Sequence, residues 1–108
     1  MWHVNLLVKP TSKFKSDMKS YKYDNKVQQE LHTVLELLKT GQPLPSKYKN
    51  HPLHGNYEGE WDCHLKPNVV LIYHIENVER IVLVRIGTPN KLELTEIMNK
   101  SLRLHLPE

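Results

Sequence analysis

Apolar residues follow two different rhythms along this chain, and the change between them divides it in half. Phe14, Met18 and Tyr21 recur at four- and three-residue intervals, and Val27, Leu31, Val34, Leu35 and Leu38 keep the same period. That spacing places side chains on one stripe of an α-helix. Past residue 58 the pattern shortens to three β-rich runs, Gly59–Leu65, Val69–Glu76 and Arg80–Gly87, which predict strands. A further apolar run, Trp2 to Val8, predicts a first strand that Pro10 ends.

The polar residues between these runs supply starts and stops. Thr11 or Ser12 can cap the first helix, and Asp24 can cap the second by accepting from the free N–H groups of its first turn. Gly41 and Pro43 stop the second helix, so the two form a hairpin. The stretch Gln42–Gly59, rich in Pro, Lys and His, reads as a long loop, and loops of that length are functional or mobile. Pro67-Asn68 and Asn77-Val78 mark tight turns between the later strands. The segment Thr88 to Leu94 is ambiguous, whereas Thr95 to Leu104 suits a short terminal helix with Leu94, Ile97, Met98 and Leu102 as its stripe.

Tight turns predict a register in which Leu65 faces Val69 and Ile75 faces Arg80. Paired residues share a face, so Trp61, Cys63, Leu65, Val69, Leu71, Tyr73, Ile75, Val82, Val84 and Ile86 should meet the helices. Asp62, His64, Val70, Ile72, His74, Leu83 and Arg85 should lie on the opposite, open face, with His64, Val70 and Arg85 in one row. The expected class is therefore α+β: an N-terminal strand, a two-helix hairpin, then a three- to four-stranded mainly antiparallel sheet with the helices on one face, and a short C-terminal helix or tail.

Length and composition narrow the function classes. A chain of 108 residues, 39% hydrophobic and 25% charged, suits one folded domain with one core. The net charge of +3 hides an asymmetry: residues 1–57 carry nine Lys against four acids, and residues 58–108 carry six Lys or Arg against eight acids. Clustered Lys suits a polyanion such as nucleic acid, and equally a solvated helix face. The single Cys63 forms no intrachain disulfide and, placed inward, reads as a core residue in a reducing compartment. No apolar run approaches the ~20 residues that span a bilayer, and no signal-peptide pattern opens the chain, so a cytoplasmic protein with no membrane partner is expected.

The stretch His51-Pro-Leu-His-Gly-Asn-Tyr-Glu-Gly-Glu-Trp-Asp-Cys-His64 concentrates the chemistry, with three of the seven histidines. On a strand Asp62 and His64 stand side by side on the face opposite Cys63. His51, His54, His64 and Asp62 are also zinc-binding types, but the His-x-x-His of 51–54 spans a proline on a loop and fits no strong metal signature. No metal and no cofactor is expected. Each residue also has a plainer reading: His51 before a proline can shape the turn, Asp62 can pair with a cross-strand Arg, and Arg85 equally suits an ion pair.

The order of elements, the loop Lys-Asn-His-Pro-Leu-His-Gly, the strands Trp-Asp-Cys-His-Leu-Lys-Pro and Val-Leu-Ile-Tyr-His, and the run Val-Arg-Ile-Gly-Thr together resemble the RelE/ParE superfamily of bacterial toxins, and its YafQ-like branch most closely. The resemblance covers residues 2–94, which implies one toxin domain over 1–94 and a C-terminal extension over 95–108. It implies a ribosome-dependent endoribonuclease that cuts mRNA in the ribosomal A site, inhibits translation, and is held inactive by a cognate antitoxin. Operator DNA would be met only through the antitoxin complex.

By the same resemblance His51 matches the family's loop histidine, Asp62 and His64 its strand acid-x-His pair, and Arg85 the arginine before its Gly-Ser/Thr. Related toxins place a histidine two residues after that Gly, where this chain has Pro89, and an aromatic residue near Glu93. Cleavage by the neighbouring 2′-hydroxyl needs a base, an acid and positive charge for the phosphate. Asp62 or His51 would be the base, His64 the acid or phosphate donor, and Arg85 the electrostatic clamp. Without a histidine at 89, His64, His54 or His74 must supply the acid, or turnover falls by the ~10²–10⁴ that a general acid contributes.

Lys13, Lys15, Lys19, Lys47 and Lys49 would hold ribosomal RNA through phosphates, and Tyr57, Tyr48 or Trp61 could stack on a base, although Trp61 shares the inward face of Cys63. The alternative is a catalytically weak or inactive toxin-fold module that binds ribosome, antitoxin or, as ParE-like relatives do, gyrase.

Overall fold

The computed structural model describes residues 5–94. Strand β1 (Leu7–Pro10) leads through the Thr11 cap into helix α1 (Ser12–Met18), which tightens into a 3₁₀ turn over Lys19–Tyr21. Thr11 Oγ1 accepts from Phe14 N at 3.1 Å and donates to Val84 O at 2.9 Å, so one hydroxyl caps the helix and ties it to the sheet. Asp24 Oδ1 accepts from Val27 N at 3.1 Å and opens helix α2 (Asn25–Lys39). Gly41, at φ 72°, takes the left-handed conformation that ends α2. No described helix is long and apolar enough to cross a membrane.

The loop after α2 is built of short elements. It holds 3₁₀ turns at Ser46–Tyr48 and Gly55–Tyr57, and between them the two-residue strand β2 (His51–Pro52), which the sequence did not announce. Strands β3 (Trp61–Lys66), β4 (Val69–Glu76) and β5 (Arg80–Gly87) follow where the alternation placed them. The sheet has five strands in the order β1-β5-β4-β3-β2, with β1 parallel to β5 and the other pairs antiparallel.

The β3–β4 register matches expectation from Trp61 to His64, and a shift then sets Lys66, not Leu65, opposite Val69. The second hairpin differs more. Its turn spends one extra residue, so Ile75 pairs with Ile81 rather than Arg80. A one-residue slip moves every side chain to the other face. Ile81 and Leu83 therefore enter the helix-side core in place of Val82 and Val84. A bulge opposite Ile72 and Tyr73 then adds a second one-residue shift, so that Ile86 returns to the core face while Arg85 pairs with Ile72, two residues from the expected Val70.

Two apolar clusters result. Phe14, Val27, Leu31 and Val34 of the helices pack on Cys63, Leu65, Leu71, Tyr73, Ile81, Leu83 and Ile86. On the opposite face Val70 and Ile72 carry Leu53, Leu92 and Leu94, with Tyr57 and Val84 alongside. The segment 88–94 closes over this face through Leu92 N to Thr88 O at 3.0 Å and Leu94 N to Pro89 O at 2.8 Å. The face expected to stand open is thus partly roofed. Trp61 and Ile75, expected in the core, lie beyond the helices at 41% and 40% exposure. The terminal helix expected over Thr95 to Leu104 and the first residues of the Trp2 to Val8 strand lie outside the described residues.

Candidate active site

Asp62 and His64 alternate with Cys63, so the strand points both away from the helix-side core. Strand β2 supplies the third group, because His51 is the register partner of Asp62. The contact is direct: His51 Nδ1 meets Asp62 Oδ1. Asp62 is buried, its Oδ1 meets no well-aligned hydrogen-bond donor among the described residues, and His51 remains exposed. Burial pushes the Asp62 carboxyl above its usual range, and His51 and His64 pull it only part of the way back. His51, Leu53, Asp62, His64, Val70, Pro89 and Leu94 together line a small cleft of about 80 Å³.

Asn50 anchors the loop that carries His51. Its Nδ2 donates to Asp62 O and to Tyr73 Oη, both at 2.8 Å, and burial holds that phenol up at about 12. Burial likewise pushes the Cys63 thiol up, which suits the core role expected of it.

Arg85 stands elsewhere than expected. The row across the strands is Asp62, Ile72, Arg85, not His64, Val70, Arg85. Two strand spacings therefore separate Arg85 from Asp62, roughly 10 Å along the sheet. Its guanidinium is committed to the buried Asp17 of α1, Nε to Oδ2 at 2.7 Å and Nη2 to Oδ1 at 3.1 Å, while Ile86 N donates to Oδ2 at 3.1 Å. Past the end of β1, α1 covers the edge of β5, and Asp17 takes the ladder position a strand would have filled. Tyr57 adjoins the same guanidinium, which links it to the roofed face.

Other expected residues divide clearly. Lys13, Lys15, Lys19, Lys47 and Lys49 are exposed, and Tyr57 is half-buried. Tyr48 is buried and donates its hydroxyl to Glu30 at 3.0 Å, so it cannot stack on a base. His54 lies 3.4 Å from Glu58, and His74 lies 3.0 Å from Glu60. Neither lines the cleft, whereas Pro89 does. Among the described residues no three His, Cys, Asp or Glu side chains are grouped to hold a metal ion.

Asp17, Glu30 and Asn50 escaped the sequence reading. The first two had a signal, since Asp17 falls three residues after Phe14 and Glu30 three after Val27, each on its helix's apolar stripe. Asn50 had none, because its role comes from two contacts distant in sequence.

The chain matches the model of a family described as bacterial toxin of type II toxin–antitoxin system, YafQ, over residues 6–94. It is 36% identical over 63 residues to the mRNA interferase toxin YafQ of Escherichia coli strain K12, covering 51% of this chain and 68% of that protein. A metal-bound toxin from Helicobacter pylori is similar in structure, with 38% identity, a TM-score of 0.73, and coverage of 81% of this chain and 98% of that one. The toxin of the E. coli DinJ–YafQ toxin–antitoxin complex superposes with a TM-score of 0.70 at 29% identity, covering 82% of this chain and 98% of that one. The α+β fold and the resemblance read from the motifs agree with these matches. The chain belongs to the YafQ family of type II toxin–antitoxin toxins.

Proposed function

We propose that this toxin is an endoribonuclease that cleaves mRNA in the ribosomal A site by attack of a 2′-hydroxyl on the adjacent phosphate. The observation that carries the reading is the His51–Asp62 pair beside His64 in one cleft. Family membership supports it, as does the name mRNA interferase borne by the E. coli relative. The toxin acts in the cytoplasm, where ribosomes are, and residues 1–94 form its domain with 95–108 as an extension. A cognate antitoxin restrains it, as the DinJ–YafQ complex suggests by analogy, and operator DNA is met only through that complex.

The geometry favours His51 over Asp62 as the base. Asp62 Oδ1 lies beside Nδ1, so its negative charge favours the tautomer protonated on that nitrogen and leaves Nε2 to accept from the 2′-hydroxyl. His64, lining the same cleft, is the proton donor to the leaving 5′-oxygen or a donor to the phosphate. Arg85 contributes positive charge from the same row of the sheet, two strands away from Asp62, oriented by Asp17. Lys13, Lys15, Lys19, Lys47 and Lys49 hold RNA phosphates, and Tyr57 stands near Arg85 to meet a base.

A second reading has one observation in its favour: Pro89 lines the cleft and offers no proton. On that reading the fold is a binding module, for ribosome, antitoxin or gyrase, with weak or no nuclease activity. Cleavage of a defined mRNA in a purified translation system separates the two. Ribosome-dependent cuts lost in His64→Ala and His51→Ala support the nuclease; growth arrest that persists in both variants without cleavage supports the module.

A further inference from the structure

A second cavity, larger than the candidate catalytic cleft, shares His64 with it. It measures about 330 Å³ and is lined by Lys26, Lys47, Lys49 and Lys66, with Glu30 in its wall. His64 lines both this cavity and the small cleft, so the two are neighbours across this one residue. Strand β2 pairs with β3 only at Trp61 and Asp62, which leaves the β3 edge from His64 onward free to border the cavity.

The charges are arranged rather than scattered. Glu30 is buried, and its Oε1 holds Lys47 Nζ at 2.9 Å and Lys26 Nζ at 3.8 Å while Oε2 accepts from Tyr48. Lys66 Nζ lies 3.2 Å from Asp24, the residue that caps α2. Four ammonium groups thus face two carboxylates. Two positive charges remain uncompensated, and the first turns of α2 add the positive end of a helix dipole.

We infer that this cavity is a subsite for the single-stranded RNA substrate, taking the nucleotide next to the scissile phosphate with Lys26 and Lys49 on its backbone. The inference rests on the nuclease reading and extends it from ribosomal RNA contacts to the substrate strand itself. A strand whose scissile phosphate lies against His64 must place its next phosphate close by, and on this side the neighbouring space is basic and of nucleotide size. Glu30 in the wall repels an acidic peptide as it repels phosphate, but only a nucleic acid strand has an obligatory second anion beside the first. Phosphate contacts here position the strand without reading its sequence.

The test is fluorescence anisotropy with a labelled six-residue 2′-O-methyl RNA, which cannot be cleaved because its 2′-oxygen carries no proton to lose. Wild type is compared with Lys26→Gln/Lys49→Gln, and far-UV melting verifies that the variant is folded. The variant should bind about tenfold more weakly, with a salt slope shallower by about 1.4 if each lysine meets one phosphate of a single strand. In ribosome-dependent cleavage its KM should rise while kcat holds. Affinity within twofold of wild type and an unchanged KM, in a wild type that cleaves, would overturn the subsite and leave the nuclease standing. Unchanged RNA affinity with lost antitoxin binding would also overturn it, by assigning the cavity to the protein partner. A wild type that neither binds nor cleaves would remove the nuclease reading and the subsite together.

Discussion

His51 and Asp62 face each other across the shortest ladder in the sheet, and Nδ1 of one meets Oδ1 of the other. The pair exists because β2 forms at all. Two residues suffice as a strand here, since Leu53 N donates to Glu60 O at 2.8 Å just past the ladder and Asn50 fastens its other end to Asp62 O and Tyr73. On the proposed mechanism, removing either end of the proton relay should be costly. His51→Ala and His64→Ala should each lower ribosome-dependent cleavage by ~10²–10⁴ while leaving the melting temperature within a few degrees, because both side chains are at least partly exposed. Single-turnover cleavage of a defined mRNA measures this, and a variant retaining more than a tenth of the wild-type rate would remove that residue from the chemistry.

Asp62 should show the opposite balance of stability and activity. Its carboxyl is raised by burial, so between the unfolded value near 3.9 and its higher folded value the native state holds more protons than the unfolded one. Stability therefore falls as pH rises through that window, and the cost persists above it. Asp62→Asn removes the cost. It should raise stability at neutral pH by roughly 1 kcal/mol, about 4–8 °C in Tm for a domain of this size, while cleavage drops. Thermal melts across the acid range check the sign, since the gap between variant and wild type should widen with pH.

Asp17 should behave in the reverse sense. Burial alone would raise it, but the bonds from Arg85 and Ile86 N bring it below its ordinary value. Its stabilisation is complete above about pH 4 and is lost as pH falls through the lower folded pKa. Asp17→Asn should cost about 2–3 kcal/mol at neutral pH, somewhat less than a fully buried pair because Arg85 retains some exposure. The deficit relative to wild type should shrink as the solution is acidified below pH 4. A deficit independent of pH in urea titrations would mean that the pair contributes little.

Local chemistry accounts for what was legible in the sequence. Thr11 and Asp24 cap the helices expected of them because a cap depends on residues three positions away, and Asp62 and His64 share a face because strand alternation is local. The row containing Arg85 was not legible. It depends on one additional residue in the Asn77-Val78 turn and one bulge opposite Ile72 and Tyr73, two slips in the same direction that return Ile86 to the core face but set it opposite Leu71 and move Arg85 from Val70 to Ile72. Nor was β2 legible, since a two-residue strand has no periodicity and forms only against a partner already in place.

That turn carries strain that can be relieved. Asn77 and Val78 both take positive φ, 54° and 56°, and for a β-branched residue this backbone is costly. Val78 is 74% exposed, so little packing is lost when it is replaced. Val78→Gly should stabilise the protein by about 1 kcal/mol and raise Tm by about 4–8 °C without altering cleavage. Differential scanning calorimetry checks this, and a lower Tm would show that the side chain stabilises the hairpin tip more than its backbone strains it.

Pro89 gives the most direct hold on the chemistry, because it lines the cleft with His51, Asp62 and His64. Its carbonyl accepts from Leu94 N at 2.8 Å, a bond that any residue at this position can keep. Pro89→His therefore adds an imidazole to the cleft with little demand on the backbone. Its expected effect is a rise of tenfold or more in the single-turnover cleavage rate, toward the ~10²–10⁴ that a well-placed general acid contributes. The same substitution in His64→Ala should restore part of the lost activity, since a second imidazole can donate to the leaving oxygen. If Pro89→His leaves both backgrounds unchanged while ribosome binding is intact, proton donation does not limit the reaction. His64 would then act on the phosphate rather than on the leaving group.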